Sequence, residues 1–497
     1  SASIAFFHKQ LGSQYLATNT GSLYFAHAAD MGLFLFASEQ FILRKVVECL
    51  PAQFRDSLTI EHLNGGEGLK VGLDVLNVEK FSLHRRGQNE KDKILKVAAT
   101  VSVLEENLDV GARAKKLYSV QNDLKKLKVH DFDYKAIHAL RRCSRCILPE
   151  TTPFIKFDTK GVCSFCREHT KINYRGKKKL EELVEPFRRK GGEPDCIIAF
   201  SGGRDSSYGL HYLKEELEMN PIAYTYDWGM VTDLARRNEA RMVGKLGVEH
   251  VIVSADITMK REHIRKHIQA WMKKPNLGMV PLFMEGDKQC EYYADELARK
   301  NNIDLVFYCR GNEFEKEEFK TGHCGIKNAD PGGVIHDLSL GGKIKLITYY
   351  GWQYLTNPAY INSSIFDTLF AYFSTYIQKH NYVFLWHYIP WDEKKIISTL
   401  TEKYCWELPK ETKTTWRTDD GTSAFYNYIY YAGQGFTEND SFRARQVREG
   451  VLKRKTALEL VTEENRPRHE ALRWYFDRVG LDGDEVLNVV DGMRRMY

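Results

Sequence analysis

Two short stretches of this 497-residue chain carry residue types and spacings suited to chemistry. In "CSRCILPETTPFIKFDTKGVCSFC", Cys143 and Cys146 form one Cys-x-x-Cys pair, and Cys163 and Cys166 form another. A two-residue spacer lets both thiolates of a pair reach one tetrahedral ion, and four thiolates close its coordination sphere, so the pattern predicts a structural zinc site rather than a catalytic one. A redox pair or an iron–sulfur cluster draws on the same ligands. In "AFSGGRDSSYG", Ser201, Gly202, Gly203, Arg204, Asp205 and Ser206 follow the apolar run 195–200 and precede residues with helical apolar spacing. The glycines therefore fall at a strand-to-helix turn. Unpaired N–H groups at a helix start carry partial positive charge, and glycine lets a ligand approach the backbone closely, so this turn suits a pyrophosphate. It matches neither the longer Walker loop nor the GxGxxG fingerprint. The plainer reading is a turn in which Asp205 caps the helix.

The elements that must position these residues follow from composition and pattern. With 43% hydrophobic and 28% charged residues, the chain reads as folded protein of two or three domains. A net charge of +6 is small for this length and argues against a dedicated nucleic-acid binder. No apolar run is long enough to span a bilayer, because the aromatic stretch 366–391 is interrupted by Asp367, Gln378, Lys379, His380 and Asn381. Ten cysteines with four in one compact pattern fit a reducing compartment, so the cytoplasm is expected. The opening Ser-Ala-Ser lacks a leader pattern, and a processed or truncated start is expected.

Residues 1–90 read as a β-rich module, with strands in "SIAFFH", "QYLAT", "SLYFAH" and "GLFLFAS". Residues 91–140 read as a charged helical connector, and 141–170 as the cysteine knuckle. Across 171–345 short apolar strands alternate with amphipathic helices, which predicts an α/β domain with a parallel sheet covered on both faces. Residues 346–497 read as a helical, aromatic-rich C-terminal extension. Ligands of such sheets bind beyond the carboxyl ends of the strands. That rule selects the glycine turn, Asp227 at the end of strand 221–227, and the segment from Gly311 to Lys320 after strand 304–311. Within "TTWRTDDGTSAFYNYIYY", Trp416, Arg417 and Asp420 are candidates for an acceptor pocket, whereas the tyrosines at helical spacing read as core. Cys290, Cys309 and Cys324 read as inert buried thiols.

The string "SGGRDS" resembles the SGGxDS signature of the PP-loop ATP pyrophosphatases. A wider order of motifs resembles the bacterial N-acetyl sugar amidotransferase family of surface-polysaccharide biosynthesis. It runs from "RRCSRC" through "DCIIAFSGGRDSSYGLHYL" and "GNEFEKEEFKTGHCG" to "GFTENDSFRARQVREG". The resemblance implies a PP-loop, adenine nucleotide alpha hydrolase-like synthetase fold that uses ATP and Mg2+ to adenylylate a carboxylate or acetamido oxygen, after which ammonia displaces AMP. Carried over to this sequence, it implies that Phe200, Ser201, Gly202, Gly203 and Ser206 hold the nucleotide's pyrophosphate. Asp205 would position magnesium, and Arg204 would add charge at the phosphates. Asp227, Gly311 and Asn312 would lie near the nucleotide, Glu313 would contact magnesium or substrate, and Lys320 would balance negative charge during transfer.

The segment "QYLATNTGSLYFAHAADMGLFLFASEQFIL" resembles the later half of the class II glutaminase domain of asparagine synthetase, whose nucleophile is an N-terminal Cys. Here the first Cys is Cys49 and the first residue is Ser1, so the front half of that domain is expected to be missing or supplied by a partner chain. The implied partners are a carbohydrate acceptor and ammonia or glutamine, and a homo-oligomer is compatible with them. Two rival functions remain at this point: a tRNA-modifying thiolase of the same superfamily, and a non-catalytic scaffold with a synthetase fold.

Overall fold

The computed structural model describes residues 3–8, 11–18, 23–38, 40–64, 66–83, 132–310, 314, 318–327, 338–378 and 380–497. The N-terminal region is antiparallel and β-rich, as its alternating strands predict. Strands β1 (Ser3–His8), β2 (Ser13–Thr18), β6 (Glu67–Gly72) and β7 (Val78–Ser82) form one sheet in the order β1-β2-β6-β7. Strands β3 (Leu23–Ala28), β4 (Leu33–Ala37) and β5 (Glu61–Leu63) form a second sheet in the order β4-β3-β5. Leu16, Leu69 and Val71 from the first sheet meet Leu23, Phe25 and Leu63 from the second in a small core. Most of the expected connector lies outside the described residues; its end is the helix Tyr134–Ala139, capped by the Asp133 carboxylate, which accepts from the Ala136 N–H.

The centre of the molecule is a five-stranded, all-parallel sheet of β8 (Cys196–Ala199), β9 (Pro221–Asp227), β10 (Glu249–Ser254), β11 (Val306–Tyr308) and β12 (Tyr382–Phe384). Successive side chains of a strand point to opposite faces. Accordingly Ile197, Ile222, Tyr224 and Val306 enter one core layer, while Cys196, Ile198, Ala223 and Phe307 enter the other. A sheet covered on both faces explains why these strands read as continuous apolar runs.

Strand order is β10-β9-β8-β11-β12. The strand of this sheet that comes first in the chain, β8, is thus central, with β9 and β10 added on one side of it and β11 and β12 on the other. Connections that leave a strand in opposite directions open a crevice at its carboxyl end, and here that position falls beyond β8 and β11. Two expectations about elements are corrected. The segment 346–497 is not a mere extension, since β12 is the fifth strand of the sheet and Ala424, Phe425 and Tyr475 share a core with Ile197. The stretch "GDKQCEYYADELARKNN" reads as a helix from Gly286, but the α-helix begins at Cys290; Leu277–Gln289, containing Pro281, is a 3-10 run. Proline lacks the N–H that an α-helix interior needs. Among the described residues no helix is long and apolar enough to cross a membrane.

Candidate functional site

The Phe200 N–H donates to the Tyr224 carbonyl (2.7 Å), tying the end of β8 to β9 just before the chain turns. Gly202 then adopts φ +68°, and a β-carbon there would lie 2.4 Å from the Ala235 carbonyl oxygen, so both conformation and space demand glycine. The Ser201 and Ser206 hydroxyls lie 3.0 Å apart, and the Ser201 N–H donates to the Ser206 hydroxyl (3.1 Å). The helix Arg204–His211 begins behind this turn with Gly203 at its N-cap and no side chain capping it. Asp205 therefore does not cap the helix, as the plainer sequence reading had it, but sits in its first turn.

Asp205 accepts hydrogen bonds from the Trp391 indole (2.9 Å) and from Arg204 Nε (2.9 Å). The Arg204 side chain is 2% exposed. It continues to Glu393 (3.2 Å) and the Thr415 hydroxyl (3.0 Å), with its guanidinium carbon 4.7 Å from the centre of the Trp391 ring. Glu393 pairs with Arg443, and Arg443 with Glu464. Burial opposes ionisation of Glu393, yet Arg204 and Arg443 hold its carboxyl below the usual range. Arg204 is thus built into an internal chain of alternating charges, neither solvated nor free to follow a phosphate.

The turn opens on a cleft of about 250 Å³ at the strand ends. One wall is the turn itself with Tyr224, Thr225 and Tyr226; Tyr308 ends β11 and Cys309 and Arg310 follow it, and Asp287, Lys288 and Cys290 come from the segment before β11. The remaining wall is Thr415, Trp416, Arg417, Asp419 and Asp420. Two backbone hydrogen bonds, which together make an antiparallel bridge between Val231 and Asp420, bring this distant segment in: Thr232 N–H to the Asp419 carbonyl (3.0 Å) and Gly421 N–H to the Met230 carbonyl (2.9 Å). Trp416, Arg417 and Asp420 thus line the cleft. Asp419 and Asp287 were missed. Two adjacent acids in "TDDG" were a signal in sequence; Asp287, in a charged run, gave none.

The electrostatics of the cleft are acidic close to the turn. A β-carbon on Gly203 would meet the Asp419 carboxylate at 2.7 Å. Burial raises the Asp419 carboxyl above its ordinary value, with the Ser201 hydroxyl opposing, and Asp287 adds to the rise. Burial likewise pushes Asp420 up to about 7, helped by the charges of Asp287 and Asp419. Behind the turn, Glu239 is 3% exposed and packs its Cγ 2.8 Å from where a Gly202 β-carbon would be. Its Oε1 finds no hydrogen-bond partner among the described residues, and burial pushes its carboxyl up to about 8.

Other predicted residues are placed elsewhere. Asp227 is buried at the end of β9, where it accepts from the Gly229 N–H (3.0 Å) and pairs with Arg236 (2.7 Å); it is not part of the cleft wall. Its job is local, as a strand-ending acid. Lys320 is also outside the wall: its ammonium meets buried Glu438 at 3.2 Å and lies 4.3 Å from the Tyr426 ring centre. Glu438 accepts from Tyr426 (2.6 Å) and Asn427 (2.8 Å) and lies 3.6 Å from Arg417, so among the described residues this network links Lys320 to the cleft. Gly311, Asn312 and Glu313 lie outside the described residues. Cys290 and Cys309 do line the cleft, but burial raises both, Cys290 to about 11, so they remain thiols. Cys324 lies apart, against the Gly278 carbonyl, and burial pushes it up to about 12.

The four knuckle cysteines are all buried and converge, with every sulfur within 4.8 Å of the others. Three backbone N–H groups, of Arg145, Cys146 and Cys163, donate to Cys143 Sγ. Without a cation, the hydrogen bond with Cys146 and then burial push the Cys143 and Cys166 thiols up to about 12, while the bond to Cys143 lowers Cys146 to about 7. Four thiolates share so small a volume only around a positive ion, and the donor set fits zinc. The knuckle rests on the helices Glu438–Glu449 and Arg454–Glu464: Ala444, Ala457 and Val461 pack on it, Arg454 donates to the carbonyls of Cys143 and Cys146, and Arg142 pairs with Asp440. The first of these helices carries Glu438 and Arg443, so one rod joins the metal centre to the charge network under the glycine turn.

No protein-family model matches the chain. Over 121 residues the chain is 31% identical to an uncharacterized protein of Methanocaldococcus jannaschii, a match covering 24% of this chain and 44% of that protein. The chain therefore spans less than half the length of the relative it matches.

Proposed function

We propose that the protein is an ATP-dependent amidotransferase of the PP-loop type. Acceptor oxygen attacks the α-phosphorus of ATP, pyrophosphate leaves, and ammonia then displaces AMP from the activated carbon. The observation that carries this reading is the uncapped, glycine-bounded turn at the carboxyl end of the central strand, facing a cleft across which Asp419 lies against Gly203. Backbone N–H groups there meet the requirement for stabilising a departing diphosphate, since they act without reorganising. Magnesium would be held by Asp205 together with Asp419 and Asp420, and bound there it neutralises charge on the leaving group. Arg204 and Trp391 orient Asp205 in that role. Trp416 and Arg417 offer a stacking face and a fixed positive charge to the acceptor.

The acceptor class, a carboxylate or acetamido group on a sugar or sugar nucleotide, rests on the motif order described above. The nitrogen would be free ammonia or ammonia made from glutamine by a partner chain. The zinc knuckle supports the fold of the site and takes no part in the reaction. A thiolase reading finds less support, because the two cleft cysteines are held as neutral thiols.

The test is a panel of acceptors incubated with ATP, magnesium and ammonium, followed by pyrophosphate release and by mass change of the acceptor. Acceptor-dependent pyrophosphate release with a one-unit mass loss, OH replaced by NH2, is the expected result. ATP binding without pyrophosphate release across the panel would favour the scaffold, and a gain of sulfur from an added sulfur donor would favour the thiolase.

A further inference from the structure

The helices Leu340–Thr356 and Ile365–Tyr372, the second continued by the π-turn Phe373–Ile377, run antiparallel and are tied side by side. Tyr354 lies 3.2 Å from Thr368 at one end, and Lys343 donates to the Tyr376 carbonyl (2.9 Å) at the other. Each helix already buries one face: Leu346 and Gln353 on the first, Asp367, Ala371 and Ser374 on the second. The Asp367 carboxylate pins the second helix to Lys260 (2.6 Å) and His263 (2.7 Å). A surface helix with its apolar face satisfied is expected to be polar on the other. Here the opposite faces are apolar as well. On the first helix Ile344, Ile347 and Leu355 recur at helical spacing and are 54–74% exposed, beside Trp352 at 62%. On the second, Phe366, Leu369 and Phe373 are 44–72% exposed.

From this face we infer that the protein pairs with a second copy of itself through helices 340–356 and 365–377. Three observations select that occupant. At about 200 Å² for a free side chain of this size, the exposed apolar groups of the two helices present on the order of 1,000 Å², beyond the largest patch of a typical monomer and above the ~800 Å² per partner of a stable interface. A two-fold contact sets the same face against itself, so a face of one charge sign repels itself; the outward side of the second helix carries no Asp, Glu, Lys or Arg, and that of the first carries Lys345 alone. Two antiparallel helices from each copy then pack as a four-helix layer, with Gly351 open on the contact side to allow close approach. A membrane surface fits less well, since interfacial helices are flanked by several Lys or Arg on their polar side.

The experiment is sedimentation equilibrium of the full chain at micromolar concentration, with hydrogen exchange followed over a dilution series. The wild type is expected at the mass of two chains, and amides of 340–377 to lose protection on dilution. Trp352→Glu and Leu369→Glu, both at exposed positions, are each expected to give a monomer with an unchanged melting temperature, whereas Val451→Glu, 61% exposed elsewhere, stays paired. A wild-type monomer, a dimer that survives both face variants, or a monomer that floats with phosphatidylcholine or phosphatidylserine vesicles would each overturn the inference.

Discussion

A β-carbon on Gly203 would come within 2.7 Å of the Asp419 carboxylate, although 216 positions separate the two residues in the chain. The contact joins the glycine turn to an acid delivered by the C-terminal third of the protein, and it distinguishes two neighbouring glycines. Gly202→Ala strains the backbone at φ +68° and strikes the Ala235 carbonyl, so it should destabilise the fold by about 1–3 kcal/mol. Gly203→Ala meets only the end of an acidic side chain, so it should melt near the wild type while pyrophosphate release falls at least tenfold. Thermal melts beside the activity assay separate the two.

Asp205→Asn tests the proposed metal site. With Arg204 and Trp391 both bonded to that carboxylate, the variant should do more than remove metal charge. Arg204, 2% exposed at its side chain, would lose one of its two carboxylate partners among the described residues. Breaking a buried pair costs up to about 3–5 kcal/mol, and retention of Glu393 reduces this. A lower melting temperature together with abolished pyrophosphate release is expected; normal turnover would remove Asp205 from the proposed metal site.

The purified chain should hold one zinc ion, measured by elemental analysis. Cys143→Ser or Cys166→Ser should abolish that stoichiometry. Because the helix Glu438–Glu449 rests on the knuckle at one end and supplies Arg443 to the Arg204–Glu393 network, zinc removal by a chelator should also lower activity and expose residues 438–464 to proteolysis.

Glu239 gives a pH prediction with a definite sign. Its carboxyl is raised from 4.5 to about 8 by burial, so between those values the folded protein holds a proton that the unfolded chain releases. Stability from this group is complete below pH 4.5 and is lost as pH rises toward 8, at up to about 1.4 kcal/mol per pH unit. Glu239→Gln keeps the neutral shape at every pH. The variant should match the wild type at pH 5 and melt higher at pH 8.5; equal melting at both values would show that the carboxyl is not held protonated.

Much was legible before any coordinates. Short strand-like runs bounded by turn residues placed the first four strands, apolar runs separated by amphipathic helices predicted the parallel sheet, and the two Cys-x-x-Cys pairs predicted a compact ligand set. Each of these signals is local, because strand period, turn chemistry and two-residue ligand spacing are properties of neighbouring residues. The glycine turn was legible for the same reason. What tertiary structure alone decided is how distant segments meet: that 415–420 walls the cleft, that β12 completes the sheet, that Arg204 and Lys320 turn into buried charge networks, and that Asp227 serves its own strand end. Those outcomes depend on packing and on the pairing of buried charges across hundreds of residues, and a pattern read along the chain has no access to either.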